Sequence, residues 1–218
     1  MQPLYFHADF LLQYQRESWW EELTQNKLEH LIAEHNGVLR TADVVAAGIP
    51  KEHFYQFARD YGLEKAAHGI YVSPDTLTDE MYLLQLQFPR AVFSHEAALY
   101  LHDLAEREPM PLAVSVPANY NSAGLSRKGT KIYYLKEGWY ELGITELPTF
   151  AGNAVRAYDM ERTICDIVRR YDDMDVAVFN YAVREYAKRN DRNYTQLSRY
   201  AKALRIERKI WEKMGILF

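Results

Sequence analysis

Lys51, His53, Tyr55, Gln56 and Arg59 crowd into one short segment, and two of them have side chains shaped for reading base edges. An arginine can bond bidentately to guanine and a glutamine to adenine in the major groove. Arg40 and Thr41 precede this segment and Lys65 and His68 follow it, all suited to phosphate oxygens or the minor groove. Together these nine residues form a candidate DNA-contacting set.

Other residues could carry different chemistry. His95-Glu96-Ala97-Ala98-Leu99 nearly matches a zinc-protease helix, but Leu99 stands where the second His ligand is required. His102 could share the face of His95, yet no third ligand is signalled, so a hydrogen-bonded structural role is expected. Asp159, Glu161 and Asp166 could hold Mg2+ for phosphoryl chemistry. Each also has a structural use: Asp159 as a helix cap, Glu161 in the first turn, and Asp166 paired with Arg162 or Arg169 one turn away. Cys165 lies on an apolar stripe without an adjacent activating base, which reads as a buried thiol. Gly124 to Gly129 lacks the Gly-Lys-Ser/Thr of a phosphate loop and reads as a basic turn. The chain also lacks the Gly-Ser and paired aspartates of a nucleotidyltransferase. No catalytic residue, cofactor or metal is expected.

The elements that would position the first set follow from periodicity. Trp19 to His35 has apolar residues at Trp20, Leu23, Leu28, Leu31 and Ile32, an amphipathic helix stopped at Asn36-Gly37. Thr41 suits the N-cap of a short helix ending at Gly48, with Asp43 in its first turn. Pro50 suits the first position of a further helix in which Phe54, Phe57, Ala58 and Tyr61 would face the core. A hairpin with the turn His68-Gly69 follows. Two helices across a glycine-bearing turn and a small hairpin make a winged helix-turn-helix. Such units also serve as protein-interaction modules. From Thr78 onward, strand-like runs at 91–93, 112–116, 131–135, 144–147 and 154–158 alternate with helices, giving a sheet covered by helices on one or both faces. The expected fold is mixed α/β (α+β): an aromatic extension over 1–18 (Tyr5, Phe6, Phe10, Tyr14), a winged helix-turn-helix over 19–75, and a mixed α/β domain with terminal helices over 76–218.

Charge sharpens this picture. The chain of 218 residues carries a net −4, which excludes a generally basic nucleic-acid binder. Residues 1–150 hold 12 Lys+Arg against 20 Asp+Glu, and residues 151–218 hold 14 against 10. The second stretch offers Arg184, Lys188, Arg189, Arg192, Arg199 and Lys202 as a secondary basic patch, or else as the solvated face of helices. No apolar run reaches the about 18 residues that span a bilayer. The start has no basic segment followed by an apolar stretch, and the single cysteine suits a reducing compartment. A cytoplasmic protein without membrane contact is expected.

Several pieces, in order and spacing, resemble the AbiEi family of antitoxins from bacterial abortive-infection type IV toxin-antitoxin systems. They are Gly37-Val38-Leu39-Arg40-Thr41-Ala42-Asp43, His68-Gly69-Ile70-Tyr71, Ser94 to Leu99 with His102 and Leu104, Val114 to Pro117, and Asp159 to Asp166. The resemblance runs from about Leu28 to the end and omits the aromatic extension. It implies a DNA-binding transcriptional autorepressor that acts on double-stranded DNA at inverted repeats of its own promoter, as monomer or homodimer. It also implies counteraction of a nucleotidyltransferase toxin, with or without direct contact. The residues alone leave two alternatives: a protein-interaction module that inhibits a partner directly, and a metal-dependent nuclease.

Overall fold

The computed structural model describes residues 22–215. The chain forms two compact units divided between Thr78 and Asp79, slightly beyond the expected boundary at 75/76. The aromatic extension over 1–18, with Trp19 and Trp20, lies outside the described residues. Helices and strands are mixed in both units.

The first unit runs α1 (22–34), β1 (Val38–Arg40), α2 (Thr41–Ala46), α3 (Lys51–Asp60), β2 (Glu64–Ala67) and β3 (Ile70–Val72). β3 is the middle strand of a three-stranded antiparallel sheet, flanked by β1 and β2. Two helices joined by a short turn, backed by a sheet whose last hairpin is the wing, are the winged helix-turn-helix arrangement. Leu28, Leu39, Val44, Ile49, Phe54 and Phe57 form its core. Gly37 ends the first turn region at φ 82, and any Cβ there would lie 1.7 Å from Thr76 Oγ1, so both backbone and space demand glycine.

Three expectations need correcting here. Leu23 is 44% exposed, whereas Thr24 is buried; the inward stripe of α1 is 24, 28 and 31, and Leu23 stands about 100° off it. Thr41 does not cap α2. Arg40 takes the N-cap position without a side-chain cap bond, because β1 extends through Arg40 to pair with Ile70. Tyr61 is 44% exposed. It follows the last turn of α3 and lies stacked on Phe57 with centroids 4.9 Å apart, covering the core's edge.

The second unit contains α4 (Glu80–Gln87), β4 (Val92–Phe93), α5 (His95–Leu101), β5 (Ala113–Pro117), α6 (Ala123–Arg127), β6 (Lys131–Leu135) and α7 (Glu137–Tyr140). It continues with β7 (Ile144–Pro148), β8 (Ala154–Tyr158), α8 (Met160–Arg169), α9 (Val176–Lys188), α10 (Tyr194–Ala203) and α11 (Glu207–Met214). The five strands are ordered β6-β5-β4-β8-β7, with β4/β8 and β5/β6 parallel and the other pairs antiparallel. Successive residues serve opposite faces. Phe93 and Ala157 join Met81, Leu84 and Leu125 in one core, while Val92 and Tyr158 join Leu135 and Tyr140 in another. The largest cluster is built on α8, with Phe179, Val183, Leu197, Tyr200 and Ile210 from the last three helices. Residues 124–127, read as a basic turn, lie in α6, where Leu125 is buried. Among the described residues no helix is long and apolar enough to cross a membrane.

Candidate nucleic-acid interface

α3 owes its two sides to the i, i+3, i+4 recurrence of Phe54, Phe57 and Ala58, all buried. Lys51, His53, Tyr55, Gln56 and Arg59 are consequently exposed, with Glu52 and Asp60 among them. Gln56 and Arg59 are neighbours one turn apart. Arg59 donates to Gln56 Oε1 at 2.7 Å, and Gln56 Nε2 donates to Asp60 Oδ2 at 3.0 Å. These solvent-facing bonds orient the two side chains and can be exchanged for others at small cost, since water competes for both partners.

The sheet aligns the wing with this helix. Phe54 meets Tyr71 edge-on at 5.1 Å, and Tyr55 lies 6.3 Å from the same ring. Lys65 stands directly opposite Tyr71 in the β2–β3 register, so both project from the face that carries α3. Lys65 and His68 are exposed. At the other side of β3, Thr41 N donates to Gly69 O at 2.8 Å, which brings Arg40, Thr41 and the wing turn together. Arg40 is held bidentately by Asp43, both bonds 2.6 Å, so much of its charge is balanced locally. The Thr41 hydroxyl is buried without a partner.

The secondary basic patch is less cationic than its composition. Lys188 pairs with Glu185 at 2.6 Å and Arg189 with Asp191 at 2.8 Å. Arg192 donates to Tyr194 Oη at 2.7 Å and to the Arg189 carbonyl. Arg184, Arg199 and Lys202 are exposed on α9 and α10, with no ion pair among the described residues.

The residues that could have done other chemistry are committed to structure. Asp159 caps α8 through Arg162 N at 2.8 Å and accepts from Tyr200 Oη at 2.6 Å. Glu161 is buried and accepts from Asn193 N at 2.8 Å. Asp166 lies between Arg162 at 3.2 Å and Arg169 at 3.6 Å. Cys165 donates to Leu197 O at 3.7 Å, and burial pushes its thiol pKa up. His102 contacts Tyr158 O at 2.9 Å. Ser94 precedes α5 but makes no capping bond; its hydroxyl sits 3.1 Å from His95 Nδ1. Burial, reinforced by Arg169, Lys131, Arg162 and Arg170, holds His95 well below the usual histidine pKa. Among the described residues no three His, Cys, Asp or Glu side chains gather as a metal site.

Sequence reading passed over a second constellation. Lys136, Trp139, Arg169 and Arg170, with Tyr133 and Tyr134, surround a cleft of about 330 Å³. The available signal was an Arg-Arg pair closing an otherwise buried helix.

No protein-family model and no curated protein matches the chain. A solved structure with a similar fold is that of the RV2827C protein from Mycobacterium tuberculosis. The likeness has a TM-score of 0.56 at 12% identity and covers 87% of this chain and 73% of that one.

Proposed function

We propose that this chain is a cytoplasmic DNA-binding antitoxin and autorepressor of a type IV toxin-antitoxin operon, opposing a nucleotidyltransferase toxin. The observation that carries the DNA-binding reading is the outward face of α3, where Gln56 and Arg59 stand side by side above a buried Phe54-Phe57-Ala58 anchor. A helix so mounted presents bidentate side chains to a major groove. Lys65, on the same side of the sheet, is set for a phosphate. Residues 38–74 carry four Lys+Arg against four Asp+Glu, which favours weak non-specific affinity, so base contacts must supply much of the selectivity. The antitoxin role rests on the resemblance to AbiEi proteins in residues 37–43, 68–71, 94–99 with 102 and 104, 114–117 and 159–166.

The test is a titration against DNA from upstream of its own operon. Gln56→Ala and Arg59→Ala are each expected to relax preference at particular base pairs by about 1 to 3 kcal/mol. Lys65→Ala is expected to weaken all sequences alike and reduce the salt slope by about 1. Sequence-blind binding by the wild type and both α3 variants would remove the assignment. Co-expression with a neighbouring nucleotidyltransferase gene tests the second half: rescue of growth by the chain is the expected result.

A further inference from the structure

The cleft between β6, α7 and the end of α8 has a lining unlike the rest of the second unit. Lys136, Arg169 and Arg170 supply three cations, Tyr133 and Trp139 supply aromatic rings, and no carboxylate belongs to the lining; Tyr134, the next residue of β6, bonds through its hydroxyl to Ser122. Cations are held against ring faces: Lys136 lies 4.3 Å from the Trp139 centroid, Arg169 lies 5.1 Å from it, and Arg170 lies 5.7 Å from that of Tyr133.

The positive charge is undercompensated. Arg162 and Arg169 share one buried carboxylate, Asp166, and Arg162 is the nearer. Arg169 keeps 17% of its side chain exposed, and Lys136 has no carboxylate partner among the described residues. Arg170 does pair with Asp173, at 3.2 Å across an exposed and exchangeable bridge. Behind the cleft, the His95 ring stacks on Tyr133 with centroids 3.6 Å apart, 98% buried by area, and its Nε2 has no partner. Burial, with Arg169 and Arg170 of the cleft among the cations that add to it, holds that ring well below the usual histidine pKa.

Partly desolvated arginines lacking a full counter-charge favour an anion, and their planar donors suit phosphate oxygens. The half-buried rings of Tyr133 and Trp139 beside them favour a flat, π-bearing group. A volume of about 330 Å³ falls at the small end of organic ligand sites. We propose that this cleft binds a nucleoside phosphate, with the phosphate held by Lys136, Arg169 and Arg170 and the base laid against Trp139 or Tyr133. The same chemistry is offered by a free nucleotide and by the phosphorylated end of a single strand.

Calorimetric titration of the full chain tests the site with ATP, tripolyphosphate, adenosine, and a short oligonucleotide with and without a 5′-phosphate. ATP is expected to bind about tenfold more tightly than tripolyphosphate, because only ATP uses the rings, and adenosine is expected not to bind. Lys136→Glu and Arg170→Glu, both at exposed positions, should each weaken ATP about tenfold while circular dichroism is unchanged. Tighter binding of the 5′-phosphorylated oligonucleotide than of ATP would assign a strand end, and the reverse order a free nucleotide; either supports the site. Equal affinities for ATP and tripolyphosphate, unchanged affinity in both reversed-charge variants, or no binding by any probe would overturn it.

Discussion

α3 and α8 each carry polar side chains that bond one turn apart, and they put them to opposite uses. On α3, Arg59, Gln56 and Asp60 bond to one another on the solvent side. On α8, Arg162 and Asp166 are both fully buried. Arg162 also donates to Trp139 O at 2.6 Å and Leu142 O at 2.5 Å, and lies 4.1 Å from the Tyr158 ring centroid. Every residue from Met160 to Val168 is buried. Side-chain bonds one turn apart are therefore exchangeable on one helix and fixed on the other. A surface arginine can trade its partner for a ligand, whereas a buried one cannot let go without stranding a carboxylate in a dry interior.

The largest effect that separates the two helices should come from Arg162→Ala. Leaving Asp166 with only the more distant Arg169 is expected to cost about 3 to 5 kcal/mol of stability in urea unfolding. A cost near that of a surface substitution would break the contrast. Gln56→Ala and Arg59→Ala should change unfolding stability by no more than about 0.5 kcal/mol, while under the proposed function they are expected to change DNA preference by about 1 to 3 kcal/mol. Matched unfolding and binding titrations on the same preparations make that comparison direct.

Acid offers a finer probe of the buried side. His95 and His102 are both held below the ordinary value of 6.5, burial being the main cause. Below about pH 6.5 the unfolded chain binds protons that the folded chain refuses, so stability should fall as pH drops through that value. The slope is at most about 1.4 kcal/mol per pH unit for each histidine. His95→Asn should flatten it by one histidine's share; asparagine tolerates the φ of 49° found at that position. An unchanged slope, followed by thermal melts between pH 7 and 5, would show that His95 protonates freely in the fold. The smallest effect is expected at Arg208, which pairs with Glu212 at 3.1 Å with 92% of its side chain exposed. Arg208→Ala should stay within about 0.5 kcal/mol.

The outer face of α3 was legible because Phe54, Phe57 and Ala58 fix which way the remaining residues point, and the wing because His68-Gly69 separates two short apolar runs. The cap at Asp159 and the pairing of Asp166 with Arg162 and Arg169 were legible for a similar reason, since helical spacing alone places those groups together. What escaped depends on contacts distant in sequence. The carbonyls that hold Arg162 come from Trp139 and Leu142, and the cleft joins β6, α7 and the last residues of α8. No local period relates these segments. The misplaced cap at Thr41 has the same origin, because strand pairing of Arg40 with Ile70 overrides the residue's own preference.

The bond from Thr41 N to Gly69 O ties the tip of the hairpin to the start of α2. With the Phe54–Tyr71 contact, it braces the hairpin carrying Lys65 and His68 against both helices. A double helix docking there would have to adjust its own groove width and curvature to fit, and base steps differ in how cheaply they yield. Preference would then extend to positions that no side chain touches, decided by the pliability of the nucleic acid.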